Sequence, residues 1–279
     1  MRLVVSICLA ALVVAASSAV AAMPPTVLVI GDSVATGMYW HTAAIAAMQK
    51  QLGVYWDVAI CRTIDGTSCP FDGERPPTLL QVVAARGTVP PTVVVEIGYN
   101  DPAGTFATEV DDAMQTLTAA GAKHVLWLTM RESRAPYPTL NELLEKAVAR
   151  WPQLQLVDWN AASESHTSWF QTDDVHLTAE GGIAMAHLAH AAVMQLVDPL
   201  RMPSTQLRLQ ASRPYAIKLR ALGGTPPYRW RVVSGRPPRG FHLLANGSLT
   251  ATAVHAPATL TLSATDADGT STDLQVLER

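Results

Sequence analysis

The sequence predicts a three-layer α/β/α domain on a parallel sheet, followed by a small all-β sandwich. Three observations carry that expectation. Up to about residue 200, continuous apolar runs alternate with amphipathic stretches, as strands covered by helices on both faces require. Beyond that point the runs become short, rich in Thr and Val, and punctuated by Gly and Pro. The charge reverses as well: residues 23–200 hold 9 Lys+Arg against 19 Asp+Glu, whereas residues 201–279 hold 10 against 4.

The chain opens with "MRLVVSICLAALVVAASSAVAA", which has a positive charge at Arg2, an apolar run from Leu3 to Ala16 and a small-residue end. This pattern reads as an export signal over residues 1–22. The run is shorter than the ~20 residues of a spanning helix, and Cys8 lies within it, away from any lipidation context. No later segment reads as a membrane span, so a secreted, periplasmic or cell-envelope location is expected.

In the first domain, residues 23–200, strands are expected at 26–30, 54–60, 92–98, 124–130 and 154–159. Helices are expected around 34–51, 77–86, 105–120, 139–150 and 179–197. Asp198, Pro199 and Pro203 stop the last of these. The second domain, residues 204–279, carries β-type runs at 215–221, 228–235, 241–245, 247–252, 258–266 and 271–278. Asn246-Gly247 between two of them reads as a hairpin turn.

Only Cys61 and Cys69 follow the signal. They are a disulfide candidate in an oxidising compartment, with two free thiols as the alternative. Nothing has zinc-finger spacing. Asp173, Asp174 and His176 lack further ligands at metal-site spacing, so no metal or other cofactor is expected. The same holds for Asp266 and Asp268 and calcium, since the run lacks a full ligand loop.

Three short stretches can carry chemistry. "VLVIGDSVATG" (27–37) turns at the end of the first strand and presents Ser33 where a helix begins. A serine nucleophile needs a base, an orienter for that base, and donors for the developing oxyanion. "IGYND" places Asn100 after the third strand, at the carboxyl edge where open parallel sheets bind ligands; an Asx turn is the alternative. "TDDVHLTAEGG" places Asp173 three residues before His176, ahead of the last helix and its N-cap candidate Thr178. That spacing lets a carboxylate reach Nδ1 and leaves Nε2 free for a serine.

No G-x-S-x-G, H-E-x-x-H or phosphate-loop ending occurs. Trp40 and Trp169 lie near these stretches in sequence and are candidate substrate contacts. Glu96 and Arg131 either pair structurally or line the cleft. His187 and His190 read as surface or packed residues of the last helix. Nucleic acid is excluded as a partner by export and by a net charge of −3.

"GDS", a loop glycine at Gly66, "GYND" and "DDVH", in this order along an α/β domain, resemble the blocks of the SGNH (GDSL) hydrolase superfamily over residues 26–197. The resemblance implies a flavodoxin-like sheet, with Ser33 as nucleophile, His176 as general base and Asp173 as its orienter. It also implies an oxyanion hole formed by the Ser33 N–H, the Gly66 N–H and the Asn100 amide. "GGTPPYRW", "PPRG" and "TDADG" in the second domain resemble Ig-like modules of the He_PIG type.

The expected activity is an exported serine esterase acting on short-acyl, acetyl-type esters of carbohydrate or envelope polymers. The basic second domain is expected either to dock on the acidic first one or to hold an anionic envelope polymer. Transfer of the acyl group to a sugar hydroxyl and a non-catalytic wall-binding role are the alternatives.

Overall fold

The computed structural model describes residues 24–209, 214–251 and 258–278. The expected export signal, residues 1–22, lies outside the described residues. Strands β1 (Thr26–Gly31), β2 (Gly53–Val58), β3 (Thr92–Glu96), β4 (His124–Leu128) and β5 (Leu154–Val157) form one parallel sheet in the order β2-β1-β3-β4-β5. Every residue of β3, and all of β1 but its first, is buried. This is why these runs are continuously apolar: helices cover both faces. The chain steps from β1 to β2 on one side and then to β3 on the other. The carboxyl ends of β1 and β3 therefore flank the crevice where strand order reverses.

Around the sheet run α1 (Thr36–Tyr39), α2 (Thr42–Met48), α3 (Leu79–Arg86), α4 (Phe106–Ala119), α5 (Tyr137–Val148), α6 (Trp159–Ser163) and α7 (Ala179–Val197). The single helix expected at 34–51 is two, because His41 between α1 and α2 is extended at φ −110°, ψ 115°. Thr78 caps α3 reciprocally with Gln81, each side chain bonded to the other's N–H. α1, α2 and α7 pack together, while α3, α4 and α5 form a second row. Among the described residues, no helix is long and apolar enough to cross a membrane.

After α7 come β6 (Gln206–Leu209), β7 (Tyr215–Lys218), β8 (Arg229–Ser234), β9 (Phe241–Leu243), β10 (Ser248–Ala251), β11 (Ala258–Thr265) and β12 (Ser271–Glu278). They form a three-stranded sheet, β7-β10-β9, and a four-stranded one, β6-β12-β11-β8. β6 has no counterpart among the sequence expectations and runs parallel to β12. Trp230, Phe241, Leu249, Leu262 and Val276 bring both sheets into one buried cluster, distinct from the α/β core.

The β unit sits on α7 and the end of α2. Gln195 Nε2 donates to Thr270 Oγ1 at 2.6 Å, Gly224 N to Asp198 O at 2.6 Å, and Lys50 Nζ to Pro226 O at 2.9 Å. Asp266 accepts from the N–H groups of Thr225, Asp268 and Thr270 and so closes the turn that carries Asp268. His190 on α7 is fully buried at this junction, while His187 is exposed.

Candidate active site

Ser33 follows β1 directly, and the turn that presents it is held from behind. Asp32, fully buried, accepts from Val34 N at 2.8 Å and from Tyr99 N at 3.3 Å, while its own N–H donates to Glu96 O at 2.9 Å. Asp32 thus ties the loop after β1 to the loop after β3. Burial pushes the Asp32 carboxyl up, against the Val34 and Tyr99 N–H groups that pull it down. Burial also raises Glu96, and the charge of Asp32 raises it further. Glu96 therefore belongs to this support and does not line the cleft.

His176 Nε2 lies 2.9 Å from Ser33 Oγ, and His176 Nδ1 lies 2.6 Å from Asp173 Oδ2. The other carboxylate oxygen of Asp173 accepts from Val175 N and His176 N, both at 3.0 Å. Desolvation acts to raise the Asp173 pKa. The His176 hydrogen bond and the two N–H groups outweigh it and lower the pKa to about 2. The carboxylate is thus ionised wherever the imidazole must be oriented.

The loop holding these two residues is pinned at several points. Phe170 bridges to Leu177, Gln171 Nε2 donates to Leu177 O at 3.1 Å, and Arg134 donates to Asp173 O at 2.8 Å. Thr178 caps α7 by accepting from Gly181 N. Two glycines then let α7 approach closely. A Cβ on Gly182 would stand 2.2 Å from Gly37 O of α1, and one on Gly181 would stand 2.1 Å from Trp169 O.

Asn100 follows β3 after Gly98, whose φ of +154° and contact with Met130 Sδ exclude a side chain. Asn100 Nδ2 donates to Arg62 O at 3.1 Å, joining the loops after β3 and β2. Arg62 is itself buried and bonded to Asp57 and Pro77. Cys61 and Cys69 are disulfide-bonded, with Cα atoms 5.1 Å apart. Gly66 lies at the exposed tip of the loop they close, with no heavy atom within 4 Å of where its Cβ would stand. The structure therefore brings together Ser33, Asp173 and His176, places Asn100 on the loop after β3 against Arg62 O, and sets Gly66 on an exposed turn.

Beside Ser33 and His176 opens a cleft of about 570 Å³, bounded by Trp40, Ile60, Phe71 and Leu177 with Gln171 at its edge. Trp40 and Phe71 are 62% and 52% exposed, leaving their rings available to a ligand. Trp40 is thus where a substrate contact was expected. Trp169 is not: it stacks between His166 and Trp159, with ring centroids 3.8 and 5.6 Å away. Arg131 lies over the Phe170 ring at 4.2 Å and donates to Ser163 O, bracing the same side. Phe71 and Gln171 carried no sequence signal, because exposed loop residues show neither periodicity nor a motif. Among the described residues no cluster of His, Cys, Asp or Glu could hold a metal ion.

A hydroxyl bonded to an imidazole that a carboxylate orients is the arrangement that general-base activation of a serine requires. No family model matches the chain. It is similar to O-acetyltransferase OatA of Staphylococcus aureus, 31% identical over 96 residues, which are 34% of this chain and 15% of that relative. The chain thus spans about 15% of the length of the curated relatives it matches. Among solved structures it is similar to the C-terminal catalytic domain of Streptococcus pneumoniae peptidoglycan O-acetyltransferase A (TM-score 0.47, 19% identity, 61% of this chain and 93% of that one). It is also similar to Est24, a carbohydrate acetylesterase from Sinorhizobium meliloti (TM-score 0.46, 19% identity, 62% of this chain and 99% of that one).

Proposed function

We propose that the chain belongs to the SGNH (GDSL) hydrolases and is an exported serine esterase that removes short acyl groups, acetyl above all, from carbohydrate or cell-envelope esters. The observation that carries this reading is the continuous hydrogen-bonded chain Asp173–His176–Ser33 at the mouth of an open cleft. Ser33 Oγ attacks the ester carbonyl carbon while His176 Nε2 takes its proton. Asp173, bonded to Nδ1, holds the ring and stabilises the imidazolium. The Ser33 N–H and the Asn100 amide stabilise the oxyanion.

On collapse, His176 returns the proton to the leaving alcohol and an acyl-enzyme remains on Ser33. Water, deprotonated by His176, attacks that acyl carbon, and the acid leaves as Ser33 recovers its proton. Residues 23–200 form the catalytic domain in this reading. Residues 204–279 form a separate Ig-like domain whose excess of cations suits an anionic envelope polymer.

The test is turnover of p-nitrophenyl esters of graded chain length and of acetylated glycans by residues 23–279, beside Ser33→Ala. Hydrolysis by the wild type alone is expected. Equal rates in the two proteins would end the serine mechanism. The match to an O-acetyltransferase supports a second reading, in which a sugar hydroxyl replaces water in the second step. It predicts acetylated glycan, not free acetate, when donor ester and acceptor are mixed.

A further inference from the structure

The oxyanion hole described so far has two donors, and the loop after β2 runs past them with Gly66 turned out to solvent. The same loop has another left-handed residue, only three positions after the end of β2. Cys61 has φ +71°, a conformation that favours glycine and disfavours a side chain. Its neighbours locate it. Ala59 N donates to Gly31 O at 3.1 Å, two residues before Ser33, and Ile60 lines the cleft with Ser33 and His176. On the other side, Arg62 O accepts from Asn100 Nδ2 at 3.1 Å. The Cys61 N–H lies between a residue that lines the cleft and a carbonyl held by an oxyanion donor. No acceptor among the described residues takes it, and none takes the Ser33 N–H.

From this geometry, and resting on the esterase reading above, we infer that the backbone N–H of Cys61 is the third oxyanion donor, and that the Cys61–Cys69 disulfide holds it there. A backbone N–H without an internal partner takes an acceptor from outside the chain, and an oxyanion formed at Ser33, on the side of the cleft that Ile60 lines, is such an acceptor. The bridge replaces what a glycine would otherwise provide. It holds a residue that has a side chain in the left-handed well by anchoring its sulfur eight residues further along the chain. Arg62, bonded to Asp57 and Pro77, and Ile64 N, bonded to Asp101 Oδ1 at 2.8 Å, fix the segment that follows. The remaining degree of freedom is the Cys61 peptide. Both cysteines are half-buried, so a reductant can reach them, and reduction would loosen this donor while leaving Ser33, His176 and Asp173 in place.

The experiment compares wild type, Ser33→Ala, Cys61→Ala/Cys69→Ala and Cys61→Gly/Cys69→Ala on p-nitrophenyl acetate, with and without dithiothreitol. Alanine without the bridge resists φ +71° and glycine accepts it. Loss of one oxyanion donor lowers kcat by up to roughly 100- to 1,000-fold. A partly relaxed loop is expected to cost about 10-fold or more in kcat, with KM moved by less than about threefold. The glycine variant should recover most of the loss and, unlike the wild type, should not respond to dithiothreitol. Reduction of the folded wild type gives the same reading if the alanine variant does not fold. Wild-type kcat in the alanine variant, or a glycine variant no better than alanine, overturns the inference while leaving the esterase reading intact. Equal turnover by wild type and Ser33→Ala overturns both.

Discussion

His190 on α7 and Asp268 on the turn before β12 meet at 3.0 Å, both side chains withdrawn from solvent, and so join the α/β part to the β unit. The second ring nitrogen of His190 lies 2.7 Å from Lys50 O. A carbonyl only accepts, and a carboxylate accepts in turn, so the ring carries a proton on each nitrogen. Burial acts to lower the His190 pKa, but the Asp268 carboxylate and the Lys50 carbonyl outweigh it and raise the pKa above 6.5. Asp268 is lowered, its desolvation overcome by the His190 hydrogen bond. The histidine contribution is therefore complete below its unfolded pKa and is lost as pH rises through the raised folded value. Thermal unfolding should show Tm falling from neutral to alkaline pH, a fall that His190→Ala flattens. Removing one partner leaves a buried charge and should cost about 3 to 5 kcal/mol. An unchanged Tm in His190→Ala would refute the clamp.

The Ser33–His176–Asp173 chain predicts unequal losses. Ser33→Ala and His176→Ala should each lower kcat by roughly 10⁴-fold or more, and together no more than either alone. Asp173→Asn should cost about 10³- to 10⁴-fold, by leaving the ring in the wrong tautomer. Because the Asp173 pKa is lowered to about 2, it stays ionised above about pH 4. Between pH 4 and 8, the acid limb of kcat/KM should therefore follow one proton. A slope of two would place Asp173 among the titrating groups.

Asp101 gives a second stability prediction, of the same sign as that of His190. It is buried, Oδ1 accepts from Ile64 N, and Oδ2 has no partner among the described residues. Burial pushes its pKa up. The Ile64 N–H pulls it back and the neighbouring Glu109 adds to the rise, leaving it at about 8. A folded pKa above the unfolded value means that stability declines as pH rises from about 4 towards 8. Asp101→Asn keeps the acceptor and removes the charge, so its Tm should change less than that of the wild type between pH 5 and 9. Parallel curves would contradict this.

The exposed rings of Trp40 and Phe71 predict a dependence on the size of the substrate. Both rings line the cleft that holds Ser33 and His176, and a glycan ester has more surface to lay against them than p-nitrophenyl acetate. Each ring removed as Trp40→Ala or Phe71→Ala forfeits roughly 1 kcal/mol, about fivefold in KM for the glycan. An equal effect on both substrates would assign these residues to the acetyl side.

Most of the sheet was legible because β1, β3 and β4 lie between two helix layers, and such strands must be apolar along their whole length. The contact of Ser33, His176 and Asp173 was legible because their short polar stretches stand at strand ends, where three residues of separation let Asp173 reach the His176 ring. The helix break at His41 was not, since a single extended residue leaves no periodic trace. Cys61 was hidden for a related reason: left-handed backbone is normally announced by glycine, and a cysteine held by a bridge does not announce it. Gly66 was placed by its position in the loop after the second strand; it has φ +72° and stands on an exposed turn. The pairing of His190 with Asp268, 78 residues later, depends on how the β unit docks, which no local pattern encodes.

α7 reaches from the loop that carries His176 to the β unit. Its 19 residues make a rod about 28 Å long. At one end Gly181 and Gly182 are seated without clearance against Trp169 and Gly37, shortly after His176 in the chain. Towards the other, His190, Gln195 and Asp198 grip the β unit. A displacement of the β unit is therefore carried along a stiff lever to the loop that holds the imidazole, so the two parts of the chain are mechanically coupled.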